Sequence, residues 1–195
     1  MKSHKDIKEF SAGSSLQLEP CVLIQYNRYA ISKDCNALTS GIYYLTFTVR
    51  NWYYIFDRHN RFQILADLLK YCQENRGVKI YAYVFMINHL HLIASGIDMI
   101  GFVRDFKRHT SREIQNNIIT TEPAVLKLFD IGDGRYEFWS RTNMPKMIEN
   151  EDYLIQKINY IHENPVRRQY VKKPEHWMWS SANPDNDIVI EPIVL

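Results

Sequence analysis

Lys79-Ile80-Tyr81-Ala82-Tyr83-Val84-Phe85-Met86-Ile87-Asn88-His89-Leu90-His91-Leu92-Ile93-Ala94 is the longest run of strand formers in the sequence, and it carries two histidines two residues apart. In an extended chain successive side chains alternate between faces, so His89 and His91 point the same way and Leu90 into the opposite layer. Two imidazoles then converge on one spot. Neutral imidazole nitrogen is a common ligand for divalent cations, and a rigid strand fixes the distance between the rings. A packed or hydrogen-bonded pair is the plainer reading of the spacing alone. In either case an apolar strand needs partners for those polar nitrogens.

Upstream, Ile42-Tyr43-Tyr44-Leu45-Thr46-Phe47-Thr48-Val49 is dense in β-branched and aromatic residues and reads as a strand. Asn60 is placed to cap a helix from Arg61 to Asn75, with Phe62, Leu65, Leu69 and Cys72 at helical spacing and Gly77 as its stop. Strand, helix and histidine strand give a βαβ order whose two strands lie parallel or flank a third. Residues 1 to 40 have mixed polarity and no sustained period, and are expected to form an irregular extension.

Downstream, Asp98 is placed to cap a second helix to about Asn117, with Met99, Val103, Phe106, Thr110, Ile114 and Ile118 as its buried stripe. Arg104, Arg108 and Arg112 recur every four residues on another face, flanked by Lys107, Ser111 and Gln115. That spacing predicts a basic ridge beside the histidine strand, suited to phosphate contact, although a charge row is ordinarily a solvated helix face. Residues 119 to 135 read as a loop or hairpin tip, after which Tyr136-Glu137-Phe138-Trp139 closes back on the core. Asn150 is placed to cap a third helix to about Glu163, with Leu154, Ile158 and Ile161 inward and Asn164-Pro165 ending it. Arg167, Arg168, Lys172 and Lys173 form a second basic cluster. The segment His176-Trp177-Met178-Trp179-Ser180-Ser181 suits sealing the core edge or contacting bases equally well.

At 195 residues and 46% hydrophobic the chain can bury one core. Its formal charge of +2 gives no global field for nucleic acid, so any basic surface must be local. Cys21, Cys35 and Cys72 make no paired spacing and are expected to be reduced thiols of a cytoplasmic protein. No apolar run reaches the ~18 residues of a membrane span, and the first ten residues are too polar for a signal peptide. The sequence has no glycine-rich phosphate loop, Gly-x-Ser-x-Gly elbow or CxxC pair, which sets aside nucleotide-fold kinases, serine hydrolases and zinc ribbons.

Met86-Ile87-Asn88-His89-Leu90-His91-Leu92-Ile93 resembles the Met-Pro-Asn-His-x-His-Leu signature of the single-tyrosine insertion-sequence transposases, in particular the REP-associated tyrosine transposases of the HUH endonuclease superfamily. Three further stretches resemble that family in the same order: Asp105-Phe106-Lys107-Arg108-His109-Thr110-Ser111, Tyr160-Ile161-His162-Glu163-Asn164-Pro165-Val166, and Pro174-Glu175-His176-Trp177-Met178-Trp179-Ser180-Ser181. The resemblance implies one α/β (α+β) domain over 41 to 182, followed by a tail from 183 to 195. Its fold would be a central antiparallel, ferredoxin-like sheet with helices mostly on one side. It further implies a partner in single-stranded or hairpin DNA, and a divalent cation, magnesium or manganese, held by His89, His91 and a third polar ligand. A tyrosine would attack the scissile phosphate, leaving a 5′-phosphotyrosine link and a free 3′-hydroxyl. Arg104, Lys107, Arg108, Arg112, Arg167 and Arg168 become candidate DNA contacts. Both monomers and homodimers fit the resemblance.

The sequence departs from the family at the nucleophile. In Trp139-Ser140-Arg141-Thr142-Asn143-Met144-Pro145-Lys146-Met147-Ile148 the aligned positions are Asn143 and Met144, and Met147 and Ile148 are poor ligands for a hard cation. Cleavage by a substitute phenol, with Tyr153 ahead of Tyr160 and Tyr136, is one reading. The others are a catalytically silent DNA-binding relative, a nuclease using metal-bound water, and a metal-free nucleic-acid module with His89 and His91 bonded within the sheet.

Overall fold

The structure is a computed structural model that describes residues 41–141 and 145–193. The expectation for residues 1 to 40 lies outside them. Aromatic and β-branched density produces β1 (Ile42–Thr48), and the apolar period of the next segment produces α1 (Arg61–Arg76), closed by Gly77 in the left-handed region at φ 62°. There follow β2 (Lys79–Met86), β3 (His89–Ser95), α2 (Met99–Thr121), a two-residue β4 (Lys146–Met147) and α3 (Glu151–Arg167). The sheet runs β2-β3-β1-β4, with every neighbouring pair antiparallel. β1 and β2 therefore flank β3, as their βαβ order allows, and the whole is a ferredoxin-like α/β domain.

The sheet separates two apolar layers. Leu45, Phe47, Phe85, Leu90 and Leu92 pack with Leu65 and Leu69 of α1 and Phe102, Phe106, Ile114 and Ile118 of α2. All six stripe residues expected on α2 are buried. Tyr44, Ala82, Val84, Met86 and Ile93 face the other way and pack with Leu154 and Ile161 of α3. Two helices thus cover one face and the third covers the other.

Several expectations need correction. The run from Lys79 to Ala94 is not one strand but a hairpin, turning at Ile87-Asn88 without glycine or proline. The turn is held from outside: the amides of Ile55 and Phe56 donate to Ile87 O, and that of Val49 to Asn88 O. Asn60 precedes α1 but does not cap it through its side chain, because its own backbone is left-handed at φ 60°. α2 continues to Thr121, and the expected loop at 119 begins with helix. Pro165 does not stop α3, which continues to Arg167; so near a helix end the missing N–H forfeits a single bond, and the ring is buried. Asp98 and Asn150 do cap α2 and α3, accepting from the Gly101 and Tyr153 amides.

The segment after α3 seals the free edge of β2. Phe85 N donates to Trp179 O, Ser181 N to Tyr83 O, and Trp177 Nε1 to Phe85 O, while Trp179 stacks on Phe62 at 5.1 Å. Of the two uses open to these tryptophans, the core edge is the one observed. Farther on, the Glu191 amide donates to Ile80 O, so the tail from 183 continues along the same edge.

Arg61, fully buried, ties the start of α1 to the end of α2. Its guanidinium donates to Ile55 O at 3.1 Å, Asn117 Oδ1 at 2.7 Å, Thr121 Oγ1 at 3.1 Å and Glu122 Oε2 at 2.7 Å. Arg61→Ala strips a partner from four acceptors at once. It is expected to lower unfolding free energy by about 3 kcal/mol, read as an earlier urea midpoint at unchanged slope.

Candidate functional site

β3 has a neighbour along both edges, so its register fixes what meets the histidines. His91 pairs with Thr46 of β1 and Val84 of β2, and His89 with Thr48 and Met86. Both rings lie on the α3 side of the sheet, 5% and 6% exposed, with centroids 4.9 Å apart. The convergence expected from their spacing is present.

Each ring has a partner for Nδ1. His89 Nδ1 lies 2.7 Å from Asn88 Oδ1, and the Asn88 amide is itself oriented by its Nδ2, which donates to Trp52 O at 2.9 Å. An amide oxygen only accepts, so His89 carries its proton on Nδ1 and leaves the Nε2 lone pair available. His91 Nδ1 meets two hydroxyls, Tyr44 at 2.8 Å and Thr46 at 2.9 Å. Either hydroxyl can accept from Nδ1, and the same tautomer then frees Nε2 of His91. Such bonds on the far ring nitrogen are the usual support of a metal-binding imidazole.

The electrostatics agree with neutral rings. Burial lowers the His89 pKa to about 4, helped by the Arg168 charge, and that of His91 to about 3, helped by His89 and Lys157. Tyr44, the hydroxyl partner of His91, is buried and its pKa is pushed up by that burial. It stays protonated and positions the ring.

α3 supplies the opposite wall. The Tyr160 ring stands 5.4 Å from that of His91 and 6.3 Å from that of Tyr44. Lys157 Nζ lies 5.0 Å from the Tyr44 and Tyr153 ring centres and 5.6 Å from that of Tyr160. Arg167 stacks over Tyr160 at 5.2 Å. These contacts bring Tyr160 directly to the histidines, whereas Tyr153 reaches the group through Lys157 and lines a cleft with Lys146, Met147, Glu149 and Asn150. Sequence reasoning missed Tyr44 and Lys157. The 3.6-residue period of α3 places Lys157 one turn from both tyrosines, and that signal was readable; the pairing of Tyr44 with His91 needs the sheet register.

The basic residues divide between the two faces. Arg104, Arg108 and Arg112 are exposed on α2, across the sheet from the histidines and not beside them. Arg104 and Arg108 both bond Asp105, which Arg76 of α1 also meets at 2.6 Å. Burial opposes ionisation of Asp105, and the Arg104 and Arg76 guanidiniums outweigh it to hold the carboxyl below its usual range. Lys107 is not on the ridge but buried, its ammonium donating to Ser140 O at 2.7 Å. Arg167 and Arg168 end α3, on the histidine side. Tyr136 is half-buried against the α1 and α2 layer. Asn143 and Met144 lie outside the described residues.

Among the described residues no third His, Cys, Asp or Glu joins His89 and His91 as a metal donor. Two imidazoles without a carboxylate fit a first-row transition ion better than magnesium, which prefers oxygen. No helix among the described residues is long and apolar enough to cross a membrane.

No protein-family model and no curated protein matches the sequence. Solved structures do match in fold. One is a REP-associated tyrosine transposase solved bound to a REP hairpin, superposing with a TM-score of 0.58 at 19% identity over 89% of this chain and 100% of that one.

The depressed His89 and His91 pKa values make a pH prediction. Unfolded, each imidazole binds a proton near its ordinary 6.5; folded, they do so only near 4 and 3. Their contribution to stability is therefore complete above about pH 6.5 and lost as pH falls toward the folded values. Urea midpoints of metal-free protein should fall between pH 6.5 and 4, and the His89→Gln, His91→Gln double variant should show a shallower fall.

Proposed function

We propose that this chain is a transposase-like DNA-binding protein that takes single-stranded or hairpin DNA at the histidine pair and cuts and rejoins its backbone with a tyrosine. The observation that carries this reading is the meeting of α3 with β3. Two neutral imidazoles with engaged Nδ1 atoms face a half-buried phenol, Tyr160, within 5.4 Å of His91. The likeness of fold to a transposase solved with a REP hairpin supports the same partner class.

Each group has a definite task in this reading. Tyr44 and Thr46 hold His91, and Asn88 holds His89, so both Nε2 atoms are left available. His89 and His91 would hold a divalent ion, manganese or a similar one, which when bound supplies positive charge to a phosphodiester. Lys157 and Arg167 beside Tyr160 add fixed positive charge where the phosphate would lie. Tyr160 Oη forms a bond to phosphorus while the P–O3′ bond breaks. The phenolic proton leaves to solvent and O3′ takes one up, and reversal restores the strand. One phosphodiester replaces another, so no nucleotide is consumed. Arg167 and Arg168 contact the backbone on this face. Tyr153 is the alternative nucleophile, two turns back on α3.

A second reading, DNA binding without cleavage, is favoured by the Lys157 ammonium, 5.0 Å from the Tyr44 ring, which provides phosphate charge at the site without any metal. The resemblance also aligns its nucleophile with Asn143 and Met144.

One gel separates the readings. End-labelled hairpin DNA with an unpaired extension is incubated with protein and manganese or chelator, then denatured. A manganese-dependent protein-linked band is expected, abolished by Tyr160→Phe and by His89→Ala with His91→Ala, and retained by Tyr153→Phe. Loss with Tyr153→Phe alone moves the nucleophile to Tyr153, two turns back on α3. Cut DNA without a linked band identifies hydrolysis by metal-bound water. Shifted but uncut DNA in a native gel establishes the binding-only reading, and no shift removes DNA as the partner.

A further inference from the structure

Two large aromatic side chains two residues apart take little part in the core: Trp52 is 57% exposed and Tyr54 56%. Single exposed aromatics need no explanation, but Trp52 borders the histidine pair. The Trp52 ring meets that of His89 edge to face at 5.8 Å. Tyr54 follows Trp52 by two residues, and the Arg168 charge acts on His89.

The backbone under Trp52 is unusual. Asn51 and Trp52 both adopt positive φ, 56° and 60°, a conformation that a bulky L residue avoids. It leaves the indole more than half exposed, so core packing does not account for it. It is held by polar bonds: Trp52 N donates to Val49 O at 3.0 Å, and Trp52 O accepts from Asn88 Nδ2 at 2.9 Å. The same Asn88 amide fixes His89 through Oδ1. One side chain therefore sets an exposed indole and the His89 imidazole at a constant offset.

We propose that Trp52, with Tyr54, is a stacking platform for an unpaired nucleobase of the DNA strand whose phosphate lies at the histidine pair, with Arg168 on the adjoining backbone. This rests on the DNA-binding reading above and adds to it a preference for an unpaired extension. A flat, exposed ring accepts the face of any base, and an ammonium or guanidinium beside it accepts the phosphate. Bases inside a duplex are already stacked on each other and cannot use the platform. The strained turn is then a way of presenting the indole outward at a fixed distance from the reacting phosphate.

The test compares two labelled probes by fluorescence anisotropy: a hairpin with a short unpaired extension, and the same hairpin with that extension abasic. Wild-type protein should prefer the first. Trp52→Ala should weaken binding of the first about tenfold and leave the second within about twofold, with Trp52→Phe near wild type. Tyr54→Ala should show the same contrast, and serves if Trp52→Ala fails a circular-dichroism melt. Equal losses on both probes overturn the proposal, since the effect then runs through His89 or the fold. Equal wild-type and variant affinity for the first probe also overturns it, and leaves DNA binding intact. If wild-type protein binds neither probe, the DNA-binding reading falls and the platform with it.

Discussion

The pairing of β3 with β1 on one side and β2 on the other is the constraint on which the rest depends. Because β3 is bonded along both edges, its alternation cannot slip without moving Leu90 and Leu92 out of the main core and His89 and His91 into it. Fourteen facing positions hold one arrangement in place, seven along β1 and seven along β2. The burial of two imidazoles is tolerable only because β1 brings Tyr44 and Thr46 opposite one of them, and the turn before β3 supplies Asn88 to the other. Polar satisfaction and the orientation of a reactive pair come from the same few bonds.

The two faces of the sheet consequently have different chemistry. On the α1 and α2 side, charge is absorbed internally: Asp105 collects Arg76, Arg104 and Arg108, and Arg61 is spent on joining helices. On the α3 side, Lys157 and Arg167 stand over tyrosine rings, and Arg168 influences His89. A near-neutral chain can thus present a local field at one site, which is where a polyanion would be handled. The resemblance of fold to a transposase, at 19% identity, carries the scaffold alone.

Much of this was legible in the sequence. Density of β-branched and aromatic residues located β1, apolar periodicity the three helices, and two-residue spacing the convergence of His89 and His91. What was not legible depended on relations between elements. The turn at Ile87-Asn88 carries no glycine or proline because the segment from Val49 to Phe56 holds it from outside, so the apolar run gave no break. The basic row on α2 was correctly seen as a row, yet which face of the sheet a helix covers follows from the chain path and not from its own pattern. Lys107 sits next to the exposed Arg108 in sequence and is buried by its bond to Ser140, 33 residues away. Tyr44 and His91 are 47 residues apart and meet only through register.

If the proposed function holds, DNA lies against the histidine and α3 face. Amide and imidazole chemical shifts of labelled protein titrated with hairpin DNA bearing an unpaired extension test it most directly. The prediction is that His89, His91, Lys157, Tyr160 and Arg168 shift together while Arg104, Arg108 and Arg112 on α2 stay in place. Shifts confined to the α2 arginines, with the histidine signals unmoved, would contradict it.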